Sequence, residues 1–144
     1  METETMGRVL TEATIENLKD RWDVERGLLA PEKARRLVVV DALVDTGATL
    51  LSLPTRMIQQ LGLTKRSEKV ATSVKGKVTI PIYDAVRLTI QGRDATVDVL
   101  EVPDDVPVLV GQIPLEWMDL VVDPKNCRLI GNPAHGGEQI LELY

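Results

Sequence analysis

Phenylalanine occurs nowhere in these 144 residues, and aromatic residues together make up only 3%. The interior must therefore be filled by Val, Leu and Ile, and β-branched runs of that kind favour strands. A single cysteine, Cys127, excludes an intrachain disulfide framework and fits a reducing compartment. It has no adjacent cation and no helix N-terminus, so a buried or strand cysteine is expected rather than a nucleophile. A single histidine, His135 in "NPAHGG", reads as a surface loop residue, because no further ligand joins it and Cys127 at metal-site spacing. No metal and no cofactor are expected. Basic residues are outnumbered, 17 Lys and Arg against 22 Asp and Glu, for a net charge of -5. Arg35-Arg36 and Lys65-Arg66 are isolated pairs, not a basic stripe, which argues against nucleic acid and against an anionic membrane surface. No apolar run is long enough to span a bilayer, and "METETMGRVL" has no signal-peptide core, so a cytoplasmic protein is expected. "VKGK" has neither the Gly spacing nor the following helix of a phosphate loop.

With 44% hydrophobic residues, the chain is long enough for one domain with a real core and too short for two comfortable ones. "GRVLTEATIEN" alternates apolar with charged residues and reads as a half-buried strand. "DRWDVERGLLAPEK" breaks the pattern and reads as a long loop with room for one helical turn. "RRLVVVDALVDTG" is a second strand, apolar on both faces near its end and hence central. "TLLSLP" continues as strand, and Pro54 opens a two-turn helix that Gly62 closes. Lys75-Gly76 joins two strands within "KVATSVKGKVTIPIY", and Gln91-Gly92-Arg93 joins two more. "VLVG" is a short buried strand, and a helix of one or two turns starts from Pro114. "LVVD" pairs with "CRLI" across "PKN", and "QILELY" supplies a last strand. Trp22 and Trp117 are expected to be packing residues. The architecture expected is mostly β: a small closed antiparallel β-barrel or closed sandwich with two short helices.

"ALVDTGATLLSLP", residues 42–54, carries the chemistry. As a bare tripeptide, Asp45-Thr46-Gly47 is a turn: Asp and Thr bond local backbone, and Gly supplies a positive φ. The flanks argue for more. Ala42, Leu43 and Val44 on one side and Ala48, Leu50 and Leu51 on the other bury the turn between core strands. A carboxylate there is expected to be desolvated, which is costly unless it has a task.

"ALVDTGAT" resembles the active-site loop of the retropepsin-like aspartic peptidases. The second signature of that superfamily is an apolar pair, a glycine and a short helix. It is matched by "VLVGQIPLEWMDL", with a hairpin lying between the two signatures. More narrowly, "LVDTGAT…LVGQIPLE…DLVVDP…RLIGNP" looks like the small prokaryotic aspartyl-protease-like family of clan AA. The resemblance covers most of residues 37–133; a loose N-terminal lead is expected over 1–6 and a single retropepsin-like domain over 7–144.

That resemblance implies an aspartic endopeptidase. Its mechanism needs two carboxylates sharing one proton, with a water held between them. Only one Asp-Thr-Gly is present, so the second carboxylate would come from a homodimer partner that places its own Asp45 at the twofold axis. Thr46 would lock the two loops together across the dimer, while Gly47 and Ala48 leave room for substrate and water. Gly111 would pack behind the loop. Val74, Lys75 and Gly76 would form a flap that closes over a bound peptide, and "QILELY" would join a dimer sheet. Retroviral enzymes usually follow the second-signature glycine with a polar, often arginine-containing pair, whereas this chain has Gln112-Ile113, so their dimer-locking salt bridge does not carry over. The alternative is a binding or scaffold domain that keeps the fold and grips peptides without cleaving them.

Overall fold

Residues 8–143 are described by a computed structural model; the expected lead over 1–6 lies outside them. Alternation along "LTEATIEN" makes β1 (Leu10–Asn17), whose Ala13 and Ile15 point inward. α1 (Leu18–Glu25) follows at once, where a loop with a single helical turn was expected. Its apolar residues show no helical stripe, so tertiary bonds hold it instead. The Asn17 side chain caps it, accepting from Asp20 N at 2.9 Å, and donates to Leu61 O at 2.7 Å. The buried Asp20 carboxylate takes a two-pronged bond from Arg35, at 2.7 and 3.0 Å, which closes the excursion between β1 and β2. That guanidinium bond holds the Asp20 carboxyl below the usual range.

β2 (Arg36–Val44) leads to the Asp45 turn, and β3 (Leu51–Pro54) leaves it. α2 (Thr55–Leu61) starts one residue later than expected: Pro54 is its extended N-cap, and Gly62 ends it in the left-handed conformation. β4 (Lys65–Ser73) and β5 (Gly76–Ile90) form a long hairpin, and Gln91-Gly92, both with positive φ, turn β5 into β6 (Arg93–Val102). β7 (Leu109–Val110), α3 (Gln112–Met118), β8 (Leu120–Asp123) and β9 (Arg128–Gly131) complete the order.

The chain is mostly β, and six strands pair in a ring, β1-β2-β7-β3-β6-β5 and back to β1, with β4 attached outside on β5. The ring is not antiparallel throughout. β2 with β7 and β3 with β6 run parallel, because the Asp45 turn and the β6–β7 connection each carry the chain to a different neighbour. β8 and β9 form a separate two-stranded sheet. Among the described residues three α-helices, rather than two, pack around these sheets. Ile15, Leu51, Leu53, Leu88 and Val99 fill the ring, and Leu61, Leu115 and Met118 seal it from α2 and α3.

Three smaller expectations change. Residues 139–143 form no strand, since no neighbouring strand in the described chain offers them a ladder. Cys127 is exposed in the β8–β9 turn with φ 51, not buried or in a strand. Trp22 and Trp117 are 46% and 56% exposed, so neither is a core residue.

Candidate active site

Asp45 stands one residue beyond β2. Parallel pairing with β7 fixes its backbone: Leu43 N donates to Val108 O at 2.8 Å and Asp45 N to Val110 O at 2.9 Å. The turn closes with Ala48 N donating to Asp45 O at 3.0 Å. Gly47 N donates to Asp45 Oδ1, also at 3.0 Å, and so aims the carboxylate. Gly47 does not adopt a positive φ. The plain turn reading therefore does not explain this glycine; space does, because a Cβ here would sit 3.3 Å from Asp45 Oδ1.

The expected burial of the turn is corrected by the structure. Asp45 and Ala48 are half-buried, and Thr46 and Gly47 are exposed. The core ends at Val44 and resumes at Leu51, so the loop rests on the rim of the ring with its carboxylate side open. The Thr46 hydroxyl has no hydrogen-bond partner among the described residues.

The second signature lies directly behind the first. Gly111 N donates to Leu50 O at 2.8 Å, Gln112 N to Ala48 O at 2.9 Å and Ile113 N to Thr49 O at 3.0 Å. The start of α3 is thus zipped onto the stretch that follows Asp45. A Cβ on Gly111 would lie 2.4 Å from Leu50 O and 2.6 Å from Thr49 C, both backbone atoms that cannot rotate away. Asp45, Thr46, Gly47, Ala48 and Gly111 therefore belong to one cluster.

Val74, Lys75 and Gly76 are separate from it, at the exposed tip of the β4–β5 hairpin. Ser73 Oγ accepts from Lys75 N at 3.2 Å and donates to Gly76 O at 3.0 Å, and Gly76 takes φ +107 to make the turn. The lower part of that hairpin and the loop after Asp45 share a cleft of about 370 Å³. A larger cleft, about 750 Å³, lies elsewhere, between β1 and β9, and contains no residue of the Asp45 turn.

One node was not foreseen from the sequence. Asp119, buried, ends α3 with φ 56. Its carboxylate meets His135 Nδ1 at 2.6 Å, accepts from Asn132 Nδ2 at 3.1 Å and from Ile140 N at 3.1 Å. The His135 bond is the main reason its carboxyl falls to about 2. His135 Nε2 meets Glu142 at 3.0 Å, so the imidazole bridges two carboxylates and its pKa is raised, first by Glu142 and then by Asp119. His135 is thus not the plain surface residue expected. No local pattern announces this node, since its members come from α3, the Pro133–His135 turn and the C-terminal segment.

The fold is thus mostly β, and its Asp-Thr-Gly turn is backed by the glycine of the Val-Leu-Val-Gly strand. The chain belongs to the aspartyl protease family, within the retropepsin-like clan: the family profile matches residues 37–113, more than half of its length. The match runs from β2 through the Asp45 turn and both central hairpins to the start of α3. Among curated proteins, no relative matches.

Proposed function

We propose that this protein is an aspartic endopeptidase that acts as a homodimer, each chain contributing its Asp45 to one catalytic pair. The closed strand ring is then the retropepsin-like barrel of the family. The observation that carries the reading is the setting of Asp45, which sits at an open rim, aimed by Gly47 N and braced from behind by Gly111. Other aspartates of the described chain are used differently. Asp104 accepts from Arg56 N at 2.9 Å, and Asp123 bonds Asn126 and Arg128 within its own hairpin. Asp41 and Asp98 are exposed on strands. The second carboxylate is therefore supplied by a second copy, and Thr46 finds its hydrogen-bond partner there.

Two carboxylates in contact cannot both ionise cheaply, so the pair shares one proton. A water between them loses a proton to the ionised Asp45 as its oxygen attacks the scissile carbonyl. The protonated Asp45 polarises that carbonyl, and the amine leaves after the proton is returned to it. The tip at Val74, Lys75 and Gly76 closes over the bound peptide and excludes bulk water.

Subunit mixing tests the shared site. Asp45→Asn keeps shape and hydrogen bonding but removes the acid–base pair. With equal amounts of wild type and Asp45→Asn exchanged at random, activity per wild-type chain is expected to fall to about half. A ninefold excess of mutant brings it to about a tenth by the same counting. Activity that stays flat after tagged subunits have demonstrably exchanged would rule the shared site out.

A further inference from the structure

The cleft beneath the hairpin carries charges that the reaction does not use. Its floor is apolar: Leu50 follows the catalytic turn, Ala71, Ile80 and Ile82 come from the hairpin, and Leu100 from β6. Lys69 and Asp98 stand on its walls. Neither side chain has a hydrogen-bond or ion-pair partner among the described residues. Most other charged side chains on this hairpin are paired: Lys65 with Glu68, Arg66 with Asp84 and Arg87 with Asp94.

The pairing register fixes where the two charges lie. Ser67, Ile82 and Leu100 form one row across β4, β5 and β6. Lys69 is one side-chain step beyond that row towards the hairpin tip, and Asp98 is one step before it, away from the tip. They are therefore about 13 Å apart along the strand direction and two strands apart across the sheet, about 16 Å in all, the span of roughly five extended residues, with the apolar floor between them. Side chains of an extended peptide repeat on one face every second residue, so such a peptide can present a charged, an apolar and a second charged side chain to this face.

We infer that Lys69 and Asp98 are specificity-determining residues: the cleft takes an extended peptide with an apolar side chain on the floor, an acidic side chain at Lys69 and a basic one at Asp98. The inference rests on the peptidase reading for its place beside Asp45, and goes further by naming the class of sequence recognised. In the free protein both charges face water and are screened. A peptide lying across the cleft displaces that water and strengthens both interactions, while the wrong sign at either end is repelled.

The test separates recognition from cleavage. Fluorescein-labelled polyalanine decapeptides with a central Leu-Leu pair are prepared, with Glu, Gln or Lys walked through the flanking positions. Binding is measured by anisotropy on the full-length Asp45→Asn protein. At one flanking position Glu is expected to bind about fivefold to tenfold better than Lys, and at another, on the opposite side of the Leu pair, the order reverses. Lys69→Glu should invert the first preference and leave the second, and Asp98→Lys should do the converse. No binding, a profile blind to charge, or preferences that survive both reversals would overturn the inference. Wild-type cleavage of the same peptides tests the peptidase reading separately. Charge-ordered binding without cleavage leaves the cleft assignment standing and removes the enzyme; cleavage indifferent to charge does the opposite.

Discussion

Gly47 and Gly111 touch the same loop, and a methyl group at each would do different damage. At Gly111 the added Cβ meets Leu50 O at 2.4 Å, a backbone atom that is itself bonded to Gly111 N. Relief requires moving the loop or α3, so Gly111→Ala is expected to cost about 1–3 kcal/mol of stability and to abolish cleavage with it. At Gly47 the nearest atom is Asp45 Oδ1 at 3.3 Å, the end of a side chain that can swing away. Gly47 also has no positive φ to protect. Gly47→Ala should therefore fold within about 0.5 kcal/mol of wild type while its carboxylate is pushed out of line and cleavage falls steeply. Urea denaturation midpoints and peptide cleavage rates on the two variants check the pair of outcomes. Equal destabilisation at both positions would mean that the loop is held by something other than the Gly111 contact.

The C-terminal segment forms no strand and is fastened to the end of α3 through His135, which stands between Asp119 and Glu142. Because the chain has a single histidine, proton NMR gives one imidazole signal to follow. Its titration midpoint is expected above the ordinary value of 6.5, and Asp119→Asn or Glu142→Gln should each lower it. A midpoint at or below 6.5 in the wild type would show that the segment is not fastened in this way. Sequence patterns reach some elements and miss others for one reason, which is the range of the interactions that form them. Alternation in β1, the glycine turns of both central hairpins and the Asp-Thr-Gly turn between apolar runs are local signals, and each marks an element that is present. α1 has no apolar stripe and depends on Asn17 reaching Leu61 and Asp20 reaching Arg35, contacts invisible to a short window. The parallel pairings of the ring depend on which distant strands meet. The burial of Asp45 was overestimated because its apolar neighbours belong to strands that leave the loop behind them at the rim.

For the molecule as a whole, pH acts on stability through two carboxylates and one imidazole whose shifts have opposite signs. Asp20 and Asp119 have folded pKa values below the ordinary aspartate value of 3.8, so the unfolded chain binds more protons as the solution is acidified. Their contribution to stability is complete above about pH 4 and is lost as pH falls, for Asp119 through about 2. His135 is raised, which gives the opposite sign: its contribution is complete below 6.5 and is lost as pH rises through its folded value. Stability should therefore be greatest at about pH 4.5 to 6.5 and decline on both sides. His135→Gln isolates the alkaline side of this profile. Glutamine keeps a polar side chain between Asp119 and Glu142 but does not titrate. The variant should lose the fall in denaturation midpoint that the wild type shows as pH rises above 6.5. A fall of the same size in the variant would show that a group other than His135 sets the alkaline side of the stability profile, and that the bridge between Asp119 and Glu142 does not hold the C-terminal segment.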